Sequence, residues 1–167
     1  GLDQGLRLPE TPPSYPRDLE TLGLDLPTQT LLTRALWYTV PAERLAPLGL
    51  DEYALAGGLH ALEHAAIAML PLFAMCDRWD IGGMSTALHG DTGRATVFIY
   101  DAYPGGVGIA ARGFDLVASH LKATREMVEG CPCREGCPSC IQSPKCGSGN
   151  EPLDKRAALM ILRLLEE

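Results

Sequence analysis

Apolar residues recur at spacings of three and four through Leu55, Leu59, Leu62, Ala66, Leu70 and Phe73, the pattern of an amphipathic helix. The spacing predicts a helix over Asp51 to Met75, capped by Asp51 and kinked or shortened at Pro71. Upstream, Thr30 to Val40 (TLLTRALWYTV) is rich in β-branched and aromatic residues, ends at Pro41 and reads as a strand. Two shorter apolar stretches, Gly83 to His89 and Ala95 to Asp101, flank His89-Gly90-Asp91-Thr92-Gly93, which suggests a hairpin. The run Pro104-Gly105-Gly106-Val107-Gly108 breaks the second strand. A further helix then lines up Ala110, Phe114, Val117, Leu121, Thr124 and Val128 on one face, to about Glu129, and stops at Gly130. A last helix runs from a cap at Asp154 to about Leu165, with Leu159, Leu162 and Leu165 facing inward.

These elements imply an α/β (α+β) fold. A small, mostly antiparallel sheet is packed by two long helices, with a cysteine loop and a C-terminal helix. Residues 1–30 hold five of the thirteen prolines and little periodicity, and read as an extended lead-in. Residues 31–130 form the core, and 131–167 belong to the same domain. A chain of 167 residues can bury a core without staples. No apolar run reaches the roughly 18 residues that a membrane span needs. No basic, then apolar, opening marks a signal peptide. These readings suggest a cytoplasmic protein without membrane partners. The start at Gly1, without methionine, suggests a piece of something larger.

Charge narrows the partners. Residues 1–103 hold 6 Lys and Arg against 13 Asp and Glu, so the net charge of -7 resides there; residues 104–167 hold 8 of each. The acidic part is a poor match for a phosphate backbone. A local basic patch remains open to Arg134, Lys145, Lys155, Arg156 and Arg163, although a solvated face is the plainer reading.

The cysteines change the picture most. Cys76 stands alone in an apolar context, while Cys131, Cys133, Cys137, Cys140 and Cys146 crowd into one loop. Disulfide-stapled modules spread their cysteines across a small chain, so crowding in a chain with its own core indicates metal. Cys137-Pro-Ser-Cys140 sets two thiolates on one edge of a tetrahedron. Two more come from Cys131, Cys133 and Cys146, and the spacing does not say which. Four thiolates saturate a single structural zinc ion. An iron–sulfur cluster takes the same ligands, and a redox dithiol is a further rival.

Other constellations are weaker. Gly106-Val107-Gly108-Ile109-Ala110-Ala111 matches G-x-G-x-x-A at a helix start, where anions bind, but no second parallel strand follows. Tight strand-to-helix packing is the plainer account of the Gly105–Gly108 loop. No G-x-x-x-x-G-K-[ST] loop is present, so the chain has no P-loop of its own. His60 and His64, at i and i+4, can share a metal, yet with Glu63 between them they do not form H-E-x-x-H. Asp77, Asp80 and Asp101 are possible members of a hydrolytic centre.

Three stretches carry a resemblance: GCPCREGCPSCIQSPKCGSGNEPLDKRAA, LHALEHAAIAMLPLFAMCDRWDIGG and IYDAYPGGVGIAARGF, together about residues 55–160. They resemble the C-terminal zinc-binding domain of MrfA-like DEAD/DEAH-box (superfamily 2) DNA helicases. The resemblance implies a place after two RecA-like motor lobes that hydrolyse ATP and move 3′ to 5′ along single-stranded DNA in DNA repair. It implies a non-catalytic accessory domain that positions the strand and braces the motor; the charges along the chain would let such a domain touch the strand through a few groups, such as Arg134, Lys145 and Lys155. It carries cysteines matching 131, 133, 137, 140 and 146 without assigning the four ligands. Two other readings stay open: a hydrolase or nuclease-like domain using Asp101, the glycine loop and His60 or His64, and a protein-interaction module.

Overall fold

The computed structural model describes residues 30–167; the expected lead-in falls almost wholly outside these. Three antiparallel strands, β1 (Ala35–Val40), β2 (Ile81–Thr86) and β3 (Ala95–Asp101), pair in the order β1-β3-β2. Alternation along the strands decides which face is buried. Leu36 pairs with Ile99 and Tyr38 with Val97, and all four lie inside; Trp37, Phe98 and Met84 form one row on the outer face. The first strand is shorter than predicted, because Leu31 to Arg34 lie outside the ladder.

Helix α1 (Ala42–Leu45) leads to α2 (Glu52–Met69), which Asp51 caps by accepting the Ala54 N–H. Pro71 does not kink α2: the helix ends in a 3-10 turn at Leu70–Leu72, since proline fits the first turn of a new helix but not an interior. Contrary to the expectation from the sequence, Glu52–Leu72 is long and apolar enough by composition to span a bilayer, but 56% of that window is buried in the protein. Its apolarity serves the core. α2 contacts the sheet, α4 (Val117–Gly130) and α5 (Lys155–Glu166). A Cβ on Gly58 would come within 2.6 Å of the Ala157 Cβ, so glycine there permits the close crossing of α2 and α5.

The helix predicted over 109–129 is two helices, α3 (Ile109–Asp115) and α4, separated at Leu116 (φ -112°, ψ 20°). The break rotates the predicted face, and Phe114 is 68% exposed instead of packed. α2 and α3 make the main contacts with the sheet, whereas α4 and α5 pack chiefly on α2 and on each other.

His120 ties α4 to β1 and α2. With Nε2 2.8 Å from the Ala66 carbonyl, its ring must donate there, and Nδ1 accepts from the Tyr38 hydroxyl at 3.1 Å. Burial lowers the His120 pKa, and the bond to Ala66 opposes this more weakly. An unfolded histidine takes up its proton near pH 6.5, before the folded one does. Stability should hold above about pH 7 and fall as pH drops below about 6.5, by up to about 1.4 kcal/mol per pH unit from this group. Urea midpoints across pH 5 to 8 check this. The His120→Gln variant should show a shallower slope, and an identical slope in both proteins would remove His120 as the cause.

Candidate metal centre

The cysteine loop enters from the C-terminus of α4 at Cys131. Its turn forms around the Cys137 carbonyl, which accepts from Cys140, Ile141 and Gln142. Gly136 has φ +118°, and a Cβ there would lie 2.4 Å from Ile141, so the chain needs glycine at this point. Ile141 (0% exposed) and Cys140 pin the turn into the core.

The result is a cage of four sulfurs. Sγ–Sγ separations are 3.6 Å for Cys131–Cys133, 3.5 Å for Cys131–Cys137, 3.5 Å for Cys133–Cys140 and 3.7 Å for Cys137–Cys140. Ligands 2.3 Å from a tetrahedral zinc ion lie about 3.8 Å apart, whereas a disulfide brings sulfurs to about 2.05 Å. All six cysteines are free thiols. The cage therefore fits one zinc-sized ion in its chemistry and its dimensions. The thiols also titrate unevenly. Burial raises Cys133, but contacts with the sulfurs of Cys140, Cys131 and Cys137 outweigh it and bring its pKa to about 7. Burial pushes Cys140 up to about 12. A divalent cation relieves that conflict, because coordination deprotonates a thiol outright.

Cys146 lies elsewhere. Its Sγ is 3.4 Å from His60 Nε2, and it accepts the Asn150 N–H at 3.2 Å. Of the five cysteines, Cys131, Cys133, Cys137 and Cys140 converge, while Cys146 joins His60 and His64.

The lysines expected to touch DNA both donate to backbone carbonyls. Lys155, 7% exposed, donates from Nζ to the carbonyls of Cys131 and Cys133 at 2.7 Å and lies 3.5 Å from Cys133 Sγ. Lys145 donates to the carbonyls of Arg78 and Ile81, and its ammonium lies 5.1 Å from the Trp79 ring centre. Lys155 is buried, whereas Lys145 is half-buried and lines a cavity of about 700 Å³. Backbone carbonyls are strong acceptors, and only the tertiary fold brings them within reach. Arg134 is exposed, and it shares a cavity of about 460 Å³ with Arg156, Arg163 and Lys155. Arg163 pairs with Glu129 at 2.6 Å, whereas Arg134 and Arg156 have no ion pair among the described residues.

The aspartates and the glycine loop are also accounted for. Asp101, fully buried, accepts the N–H groups of Val107 and Gly108 on Oδ2 (2.6 and 2.8 Å) and of Ala110 on Oδ1 (2.7 Å). The anion position at the start of α3 is filled by the protein's own carboxylate, so the G-x-G-x-x-A segment is not a phosphate cradle. Asp77 caps the 3-10 turn Arg78–Asp80 in a reciprocal box with Asp80, and Asp80 accepts from the Tyr103 hydroxyl at 2.6 Å. The grouping of Asp101, glycine loop and histidines expected of a hydrolase is not assembled.

Residues 62–141 match the family model of the MrfA Zn-binding domain. The chain is 39% identical over 110 residues to protein MJ1572.1 of Methanocaldococcus jannaschii, covering 98% of that protein and 64% of this one. It is 34% identical over 146 residues to the ATP-dependent helicase YprA of Bacillus subtilis, covering 86% of this chain and 18% of the helicase. Among solved structures it resembles the DUF1998 helicase MrfA bound to DNA, with a TM-score of 0.66 and 31% identity, over 83% of this chain and 18% of MrfA. The chain spans about a fifth of the length of these helicases. On the sequence match, the shared fold and the cysteine cage, the chain belongs to the MrfA Zn-binding domain family.

Proposed function

We propose that this domain is a non-catalytic, zinc-stabilised accessory module of a 3′ to 5′ DNA helicase of DNA repair, cytoplasmic and nucleoid-associated. It positions single-stranded DNA and braces the two RecA-like motor lobes of the same polypeptide. The carrying observation is the likeness of the described fold to MrfA, a helicase whose structure was solved with DNA bound. Cys131, Cys133, Cys137 and Cys140 hold one zinc ion. Four thiolates around Zn²⁺ leave the centre doubly negative, which Lys155 offsets in part from within hydrogen-bond range of Cys133. A closed centre offers no position to a substrate, so its role is to fix the loop. A pale protein without visible absorption would distinguish zinc from an iron–sulfur cluster.

The strand is held by Arg134 and Arg156, which project beside the cage with no carboxylate partner among the described residues. The motor supplies the broad grip, so an acidic net charge is tolerable in the accessory part. Titration of a fluorescent single strand should show weak, salt-sensitive binding. The Arg134→Glu/Arg156→Glu variant should bind at least about tenfold more weakly. Its log–log salt slope should be smaller by about 0.7 for each phosphate that the two arginines neutralise in the parent chain. Tight binding by the isolated chain at high salt, or a variant that binds like the parent, would count against the reading.

A further inference from the structure

His60, His64 and Cys146 lie outside the four-sulfur cage, and nothing in the accessory role uses them. Their ligand atoms all lie within 4.8 Å of one another. The histidines are one turn apart on α2, with ring centres 4.3 Å apart. Cys146 arrives from 86 residues downstream.

Each ring is oriented by a backbone carbonyl. His60 Nδ1 is 2.9 Å from the Pro152 carbonyl and His64 Nδ1 is 2.8 Å from the Ile141 carbonyl. A carbonyl can only accept, so both Nδ1 atoms carry the proton and both Nε2 lone pairs are bare. Fixing the tautomer through the far nitrogen is how proteins prepare imidazole for a metal. The His60 Nε2–Cys146 Sγ separation of 3.4 Å is close to the roughly 3.6 Å between a nitrogen and a sulfur bound to one tetrahedral zinc ion. The Asn150 N–H points at the same sulfur at 3.2 Å.

The surroundings differ from those of the cage. The three groups line a cavity of about 700 Å³ that also contains Glu63, Ser148 and the backbone of Gly83. A Cβ at position 83 would approach Glu63 Oε1 to 2.7 Å and its Cγ to 2.9 Å, so glycine there leaves room for the Glu63 side chain. Three ligands at the wall of an open cavity leave the fourth corner of the tetrahedron to solvent. This is the arrangement of exchangeable sites, not of closed structural ones.

We infer that His60, His64 and Cys146 form a second metal site, for a divalent first-row ion of zinc's softness, whose fourth position holds an exchangeable water or small anion. Two nitrogens and a sulfur suit zinc among such ions and exclude calcium and magnesium, which take oxygen. The site is independent of the DNA-positioning role and stands or falls separately.

The test uses the whole chain and the metals alone. Dialysed against excess Zn²⁺ and then freed of loose ion, the protein should hold two zinc ions by elemental analysis. Titration with Co²⁺ should develop two distinct spectra, one of four thiolates and one of two imidazoles and a thiolate. Azide should shift only the second. Cys146→Ala should hold one ion and keep the four-thiolate spectrum, as should His64→Ala where it folds. Saturation of the unmodified chain at one ion with a pure four-thiolate spectrum would overturn the site, and this result depends on no variant. Retention of both ions by Cys146→Ala would overturn it too, and indifference to azide would refute the open fourth position.

Discussion

Cys140→Ser should lose the four-thiolate metal and lower the midpoint of thermal unfolding by roughly 8–16 °C. Structural zinc contributes binding free energy directly to folding, with apparent values of roughly 10–16 kcal/mol in small zinc modules. In this chain the core retains stability of its own, so a smaller share is at stake. Cys140 and Ile141 are nonetheless buried, and Lys155 at the start of α5 is satisfied by the carbonyls of Cys131 and Cys133 and by the Cys133 sulfur. Releasing the sulfur cage therefore strips buried partners from α5 as well as freeing the loop. A destabilisation of about 4 kcal/mol corresponds to roughly 8–16 °C at this size. Exhaustive chelation should match the variant, and circular dichroism should show part of the helix signal melting early. Cys76→Ser is the control: Cys76 lies apart from both groups of metal-ligating side chains, and its replacement should cost less than about 1 kcal/mol. Equal melting of Cys140→Ser and Cys76→Ser, with metal retained in both, would mean that the cage does not hold the loop.

Asp101→Ala should cost about 3–5 kcal/mol, a large part of the roughly 5–15 kcal/mol that keeps a domain folded. The carboxylate satisfies three backbone donors at 2.6–2.8 Å from a fully buried position. The Ala110 donor is buried and those of Val107 and Gly108 are partly buried; a buried donor left without an acceptor costs about 1–3 kcal/mol, and a partly buried one less. Asp101→Asn should cost less, about 2–3 kcal/mol, because one oxygen is retained while the amide turns a donor toward another donor. Urea denaturation with the far-ultraviolet signal of α3 and α4 measures both. The same residue separates structural from catalytic roles. A hydrolytic aspartate could be replaced with little loss of stability, whereas a seat for the glycine loop could not. Unchanged midpoints for both variants would return Asp101 to the catalytic candidates.

Much of the fold was legible because its signals are local. The spacing of Leu55, Leu59 and Leu62, the cap at Asp51 and the cap at Asp154 each depend on residues within a turn or two. The strand pair around the His89–Gly93 turn was legible for the same reason. The break at Leu116 was not. No proline or glycine marks it, and Phe114 fits the helical period while pointing to solvent. The length of α2 against a membrane span was also misjudged, because composition cannot tell a core helix from a bilayer helix when both must be apolar.

The sequence by itself pointed to metal in the 131–146 loop, because cysteines in so short a span can meet without the rest of the chain. It determined the family, because motif and spacing travel together. Tertiary structure alone decided the division of those cysteines. Cys131 to Cys140 close on one another through a local turn, but Cys146 finds its neighbours on α2, 86 residues away. The same holds for Lys145 and Lys155, whose charges look free along the chain and become hydrogen-bond donors inside the fold. It holds also for Asp101, whose oxygens fill the anion position beside Gly108. The physical reason is common to all three: hydrogen-bond acceptors and metal ligands act over a few ångströms of space, and a sequence records only distance along the backbone.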